Sequence, residues 1–168
     1  QCRFHESCGG CSWQPVSYER QLAIKREWVQ QTFAEAGFDD VTIPTPIASP
    51  NEYGYRNKME FSFGVDFDGT YALGMHPAGR RYDVLPLDTC YLQSEASAIL
   101  TRAIRAWGET HGVPHHDQRR ELGFLRTMTI REGKRTGDRL IELTTSPATT
   151  AHYDGEERPA EDVVADFL

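Results

Sequence analysis

Three cysteines within the first eleven residues and one far downstream constrain this chain more than any other feature. Cys2, Cys8 and Cys11 follow the spacing C-x5-C-x2-C, and Cys90 is the only other cysteine. Residues 1–16 show no apolar periodicity and read as a loop, so whatever joins these sulfurs ties that loop to a remote segment. Four chemistries compete for the pattern. Disulfides need an oxidising compartment, and a bridge within Cys8-Gly9-Gly10-Cys11 leaves two distant partners. A thioredoxin-like redox pair normally sits between a strand and a helix, and here a loop precedes it. A zinc site would use four thiolates, or three together with His5. An iron–sulfur cluster would take three thiolates from one tight loop and one from afar. The spacing favours a metal centre and leaves zinc and cluster open. Gly9 and Gly10 suit either, because two residues without Cβ let the loop fold tightly and aim backbone N–H groups at sulfur.

The body of the chain reads as α+β. Apolar residues recur at near-helical spacing from Tyr18 through Leu22, Ile24, Trp28, Val29 and Phe33. Ser17 is a natural N-cap there, and Gly37 a natural stop. Three prolines between Ile43 and Pro50 predict an extended connector. From Tyr55 to Val65, Met59, Phe61, Phe63 and Val65 alternate with polar or small residues, which predicts a strand. Asp68-Gly69 predicts a hairpin returning over Tyr71–Met75. A short extended piece follows at Val84-Leu85. A second helix is expected over Ser94–Thr110, where Ala96, Ile99, Leu100, Ala103, Ile104 and Trp107 form a broad stripe. Gly123–Ile130 and Arg139–Leu143 form a second strand pair, and Pro159–Leu168 begins a third helix. The expected architecture is a mostly antiparallel sheet of hairpins packed with two to three helices. Phe61, Phe63, Trp28 and Trp107 sit at core positions and read as packing.

A chain of 168 residues fits one domain able to bury its own core. No apolar run reaches membrane-spanning length and the N-terminus lacks a signal-peptide layout, so the cytoplasm is the expected compartment. The chain opens on Gln1 and closes on Asp-Phe-Leu within a helical pattern, which reads as a piece cut from a longer protein. The net charge of −7 argues mildly against a nucleic-acid binder. The charge is uneven, however: seven basic and three acidic residues lie between Arg119 and Arg139, against one and six from Ala151 to Leu168. A basic stripe on one face can hold RNA despite an acidic total. Arg56 and Lys58 share one strand face by their spacing, and there they would grip phosphates or simply meet solvent. His76, Arg80 and Arg81 surround a Pro-Ala-Gly turn. Arg126 and Arg131 belong to the basic stripe, with ion pairing to the acidic tail as the plainer reading. Tyr55 and Tyr91 are candidate contacts, and His115-His116-Asp117 reads as polar surface.

Several blocks together resemble the RNA (uracil-5-)-methyltransferase family. They are Cys2-x5-Cys8-Gly9-Gly10-Cys11-x-Trp13-Gln14, Tyr18-x-x-Gln21-Leu22-x-x-Lys25, and Tyr55-Arg56-Asn57-Lys58-Met59-Glu60-Phe61. Then come Leu73-Gly74-x-His76 with Gly79-Arg80, Cys90-x-Leu92-Gln93, and Gly123-x-Leu125-Arg126 with Ile130-Arg131. Their order matches the family over nearly the whole chain, and the cysteines point to its cluster-bearing, ribosomal-type branch. The resemblance implies a [4Fe-4S] cluster on Cys2, Cys8, Cys11 and Cys90. It implies a central domain between an oligonucleotide-binding barrel and a methyltransferase domain that uses S-adenosylmethionine. Its implied partner is RNA, ribosomal rather than transfer RNA, with no membrane or DNA. In the family a cysteine attacks uracil C6 and a carboxylate later removes the C5 proton. Neither can be placed here, so this chain alone is expected to be inactive. The family often has a histidine after the arginine of the Gly-x-Leu-Arg block, where this chain has Thr127. The alternative from another class is a zinc-binding RNA or protein interaction module without catalytic activity.

Overall fold

The computed structural model describes residues 2–167; Leu168, the last residue of the expected third helix, lies outside them. The first element, α1 (Tyr18–Glu35), starts where expected, with the Ser17 side chain accepting the backbone N–H of Arg20. It ends just before Gly37, whose φ of +84° is the left-handed conformation that favours glycine. The sheet follows: β1 (Lys58–Val65), β2 (Tyr71–Met75) and β3 (Leu85–Pro86). After α2 (Glu95–Thr110) come β4 (Leu125–Glu132) and β5 (Arg139–Thr145), then a separate hairpin of β6 (Thr150–Tyr153) and β7 (Glu156–Pro159), and α3 (Ala160–Phe167). The large sheet has the order β3-β2-β1-β4-β5 and every pair is antiparallel. The α+β class is the expected one.

Strand alternation decides which face is buried. Met59 pairs with Ile130, Phe61 with Met128 and Phe63 with Leu73, so these side chains share the inner face. All six are buried and join Ile104 of α2, Val113, Phe124, Tyr153 and Val163 in one core. Each large side chain removed from water here stabilises the fold by about 1.5–3 kcal/mol. The opposite face sets Lys58 beside Arg131, Glu60 beside Thr129 and Ser62 beside Thr127. At Arg126 the β4–β5 register slips by one residue. Such a bulge re-aims the strand locally.

Four expectations need correction. Helix α1 contributes no buried residue, and Trp28 is 57% exposed, packed edge-on against Trp13 and not into the core. Its apolar residues do not gather into one stripe. The helix is held instead from outside, by Gln30 and Arg26 hydrogen-bonding the backbone of Val41 and Ile43. Trp107 does pack against the core, as expected. Second, β1 begins at Lys58, not Tyr55. The N–H groups of Gly54 and Arg56 donate to the carbonyls of Tyr91 and Leu92, which draws this segment away from the sheet. Third, Ile99 lies on the exposed side of α2, so the buried stripe is narrower than the sequence implies. Fourth, the β6–β7 hairpin was unexpected. Its turn is Asp154-Gly155, with φ of 52° and 83°, the paired left-handed geometry that a two-residue hairpin demands.

Candidate functional site

The N-terminal loop is not loose. Its backbone closes on itself through Cys8 N–H to the Phe4 carbonyl at 2.7 Å and His5 N–H to the Cys2 carbonyl at 3.1 Å. It then docks on the turn after β2: Gly9 N–H donates to the His76 carbonyl at 3.1 Å, and Ala78 N–H to the Ser7 carbonyl at 3.0 Å. A Cβ on Gly9 would stand 3.3 Å from that His76 oxygen, so glycine allows the close approach. The Cys2 N–H donates to Gln14 Oε1, and Arg3 forms an ion pair with Asp88, two residues before Cys90.

This docking brings the remote cysteine to the loop. All four cysteines are free and partly buried. Burial pushes the Cys8 thiol up. A 3.4 Å hydrogen bond from the Gly10 N–H works against it, and the charges of Cys11 and Cys2 add to it. Burial also raises the Cys90 thiol, against the N–H groups of Leu92 and Gln93 and with the charges of the same Cys11 and Cys2. Cys2 and Cys11 therefore lie within electrostatic reach of both Cys8 and Cys90. Beside them, both ring nitrogens of His5 are buried with no hydrogen-bond partner among the described residues. Those residues contain no group of three or more His, Cys, Asp or Glu side chains able to hold a metal ion.

A cleft of about 620 Å³ opens beside the loop. Cys11, Trp13, Lys25, Tyr53, Tyr55 and Arg56 are among the residues lining it. Arg56 reaches this cleft because its segment is bonded to Leu92, just past Cys90. Tyr91 stands outside the cleft lining but packs edge-on against Tyr53.

The other sequence candidates distribute over the outer sheet face and its rim. Lys58 and Arg131 are exposed neighbours on β1 and β4, and Lys58 also pairs with Glu60 at 3.2 Å. Arg126 and Arg131 have no ion-pair partner among the described residues, so the expected pairing with the acidic tail is absent. Two of the tail's carboxylates are engaged locally, Asp154 on His111 and Asp166 on Tyr153 and Trp107. His76 is engaged at both nitrogens. Its Nδ1–H donates to the Asp83 carbonyl at 2.9 Å, which leaves Nε2 to accept from the Ser62 hydroxyl at 3.0 Å. Arg80 pairs with Asp83 and lies over the Phe67 ring.

Sequence reasoning missed one group. His115 and His116 are half-buried and line a second cleft with His76, Arg81 and Arg119, so they are more than polar surface. The available signal was their position just before the Gly123-x-Leu-Arg block, whose Leu125 forms a bridge to His115.

This fold occurs in a solved RNA-modifying enzyme. A tRNA (uracil-54, C5)-methyltransferase of Pyrococcus abyssi, crystallised with S-adenosyl-L-homocysteine, superposes with a TM-score of 0.67 over 88% of this chain and 34% of that one, at 22% identity. No protein-family profile matches the chain. Similar curated proteins carry the name uncharacterized RNA methyltransferase. That of Caldanaerobacter subterraneus subsp. tengcongensis is 34% identical over 153 residues, covering 91% of this chain and 34% of the relative. That of Protochlamydia amoebophila is 39% identical over 145 residues, covering 86% and 33%. That of Gloeobacter violaceus is 31% identical over 168 residues, covering 99% and 36%. The chain thus spans about a third of the length of the curated relatives it matches. Over that third its sequence is similar to RNA methyltransferases, the class to which the resemblance points.

Proposed function

We propose that this chain is the iron–sulfur and RNA-binding central part of an S-adenosylmethionine-dependent RNA uracil-5-methyltransferase of the cytoplasm, acting on ribosomal RNA. One observation carries the reading: with the N-terminal loop docked, Cys2 and Cys11 lie within electrostatic reach of the remote Cys90, as they do of Cys8. Cys2, Cys8, Cys11 and Cys90 would hold a [4Fe-4S] cluster. In such a cluster each of the four thiolates would be a ligand, and the cluster would join the loop to the Cys90 segment. The orphaned His5 nitrogens also suit a cluster, whose sulfides would accept an N–H that the protein leaves unpaired. The group supplies a staple that fixes the loop against the body, since uracil methylation has no evident need of redox chemistry.

The protein's own residues do the rest. Arg56 beside the loop cleft, Lys58 and Arg131 across the outer sheet face, and Arg126 at the bulge present cations to a phosphate backbone. His76, Arg80 and Arg81 form the adjoining turn. Nucleophile, base and methyl-donor site belong to other parts of the longer protein, and this chain alone does not methylate RNA. The test is iron, sulfide and zinc analysis after purification without oxygen. About four irons with equal sulfide and a broad absorption near roughly 400 nm are expected.

A zinc-binding interaction module is the second reading, favoured by the same unpaired His5 nitrogens, which could replace one thiolate. One zinc per chain without colour would establish it over the first.

A further inference from the structure

The smaller cleft, of about 180 Å³, lies between the segment that follows β2 and the loop that precedes β4. It is separate from the cysteine loop cleft and shares no lining residue with it. Tyr82 is among its lining residues, and two guanidiniums lie over its ring, Arg81 at 4.8 Å and Arg119 at 4.0 Å from the ring centre. Stacking of this kind orders the planar head and leaves its N–H edge free to meet a planar or tetrahedral oxyanion. Neither arginine has a carboxylate partner among the described residues. The nearby carboxylates are already spent: Asp83 on Arg80, and Asp117 on the backbone N–H groups of Arg119 and Arg120 and on the Arg120 side chain. Opposite stand two imidazoles. His116 has a buried Nδ1 without a partner among the described residues, although its backbone is fixed by donation to the Leu125 carbonyl at 2.7 Å. His115 is kept towards its neutral form by burial, against the pull of Asp117 and with the help of His116. Two cations without a carboxylate partner among the described residues and the His116 imidazole therefore line one small cavity.

We propose that this cleft is a phosphate-binding site that takes one phosphodiester group of the RNA strand, with Arg81 and Arg119 as its charge partners and His116 as its hydrogen-bonding partner. The assignment rests on the RNA-binding reading above. It adds a contact on the far side of the β2 turn from the cysteines, because the same turn carries His76, which accepts the loop's Gly9 N–H and lines the cleft. A strand held at both places would cross the Pro-Ala-Gly turn.

The experiment titrates the chain with inorganic phosphate while following the imidazole resonances of His115 and His116. In parallel, binding of a short single-stranded oligouridylate is measured across a range of salt. Arg81→Gln/Arg119→Gln and Arg56→Gln variants are compared with the unmodified chain; all three arginines are exposed, so folding is retained. Phosphate is expected to shift both imidazoles, and the double variant to abolish the shifts. The double variant is also expected to weaken RNA binding about tenfold and to flatten the log–log salt slope by about 0.7, the share of one phosphate on a single strand. Imidazole shifts without any change in RNA affinity would make this a site for free anions and overturn the RNA assignment. RNA binding lost in Arg56→Gln but unchanged in the double variant, with no phosphate shifts, would overturn the cleft and leave the broader RNA-binding reading standing. No RNA binding by the unmodified chain would defeat both.

Discussion

Glu132, the last residue of β4, accepts a hydrogen bond from the hydroxyl of Ser94, the N-cap of α2. The Ser97 hydroxyl reaches the same carboxylate oxygen, and Lys134 and Arg139 flank the group as ion-pair partners. An anion thus sits at the positive end of α2 and fastens that helix to the sheet. Burial works to raise the Glu132 carboxyl, but hydrogen bonds from Lys134, Ser94 and Ser97 and the Lys134 charge outweigh it and bring the group down to about 2. A depressed folded-state value means the stabilisation is present above the ordinary 4.5 and is lost as pH falls towards 2. Glu132→Gln is expected to cost about 1–3 kcal/mol at neutral pH. Urea unfolding at several pH values checks this. The gap between the two proteins should narrow between pH 4.5 and 2, and a gap that ignores pH would refute the charge argument.

Gly108 and Tyr71 make a second testable pair. A Cβ on Gly108, inside α2, would stand 2.5 Å from the Tyr71 hydroxyl oxygen. That hydroxyl is buried without a partner among the described residues, and burial, with the charge of Glu109, strongly raises its pKa. Alanine gains about 1 kcal/mol of helix propensity over glycine, yet the clash outweighs it. Gly108→Ala is expected to destabilise by about 1–3 kcal/mol. Tyr71→Phe removes an unsatisfied polar group and should be neutral or stabilising. In the Tyr71→Phe background, Gly108→Ala should cost clearly less than alone, read from a double-mutant cycle of unfolding free energies. Strict additivity would show that the two positions do not compete for the same space.

Much of the fold was legible because local signals agreed with the tertiary outcome. Alternation over Met59–Phe63 placed the inner face, and the serines at 17 and 94 capped the two helices. Legibility failed where long-range bonding overrode local pattern. Arg56 reads as strand, but its N–H is claimed by Leu92. Trp28 sits at apolar spacing on a helix that no sheet face covers. Asp154-Gly155 carried the same turn signal as Asp68-Gly69, but its flanks are short and charged, which hid the hairpin. The cysteine spacing pointed to a metal centre, but only resemblance joined all four to one cluster, since nothing local links position 11 to position 90. The phosphate cleft was illegible for the same reason: Tyr82 and Arg119 meet only across the fold.

The cysteine loop makes a prediction about order. Docking alone fixes the loop by a few backbone hydrogen bonds, by the partly buried Phe4 and Cys8 against the core, and by the largely solvent-exposed ion pair between Arg3 and Asp88. Such a pair contributes at most about 1 kcal/mol. If the proposed cluster is the staple, its loss should let the loop open locally while the core stays closed. Cys90→Ser is therefore expected to lose the iron and to speed proteolytic cleavage within residues 1–16, with little change in unfolding of the body. Full iron content in that variant would remove Cys90 from the ligand set.

The outer sheet face makes the last prediction. Lys58 and Arg131 are exposed and directly opposite on antiparallel neighbours, where like charges repel. Replacing one of them relieves that repulsion, so Arg131→Gln should leave stability unchanged or raise it by a few tenths of a kcal/mol. If the pair exists to hold a phosphate backbone, the same change should weaken RNA binding evenly across sequences and reduce the salt slope. Thermal unfolding and RNA titration of the one variant read both effects together. A gain in stability with a loss of RNA affinity marks the pair as kept for binding. Unchanged RNA affinity would return these two cations to an ordinary solvated strand face.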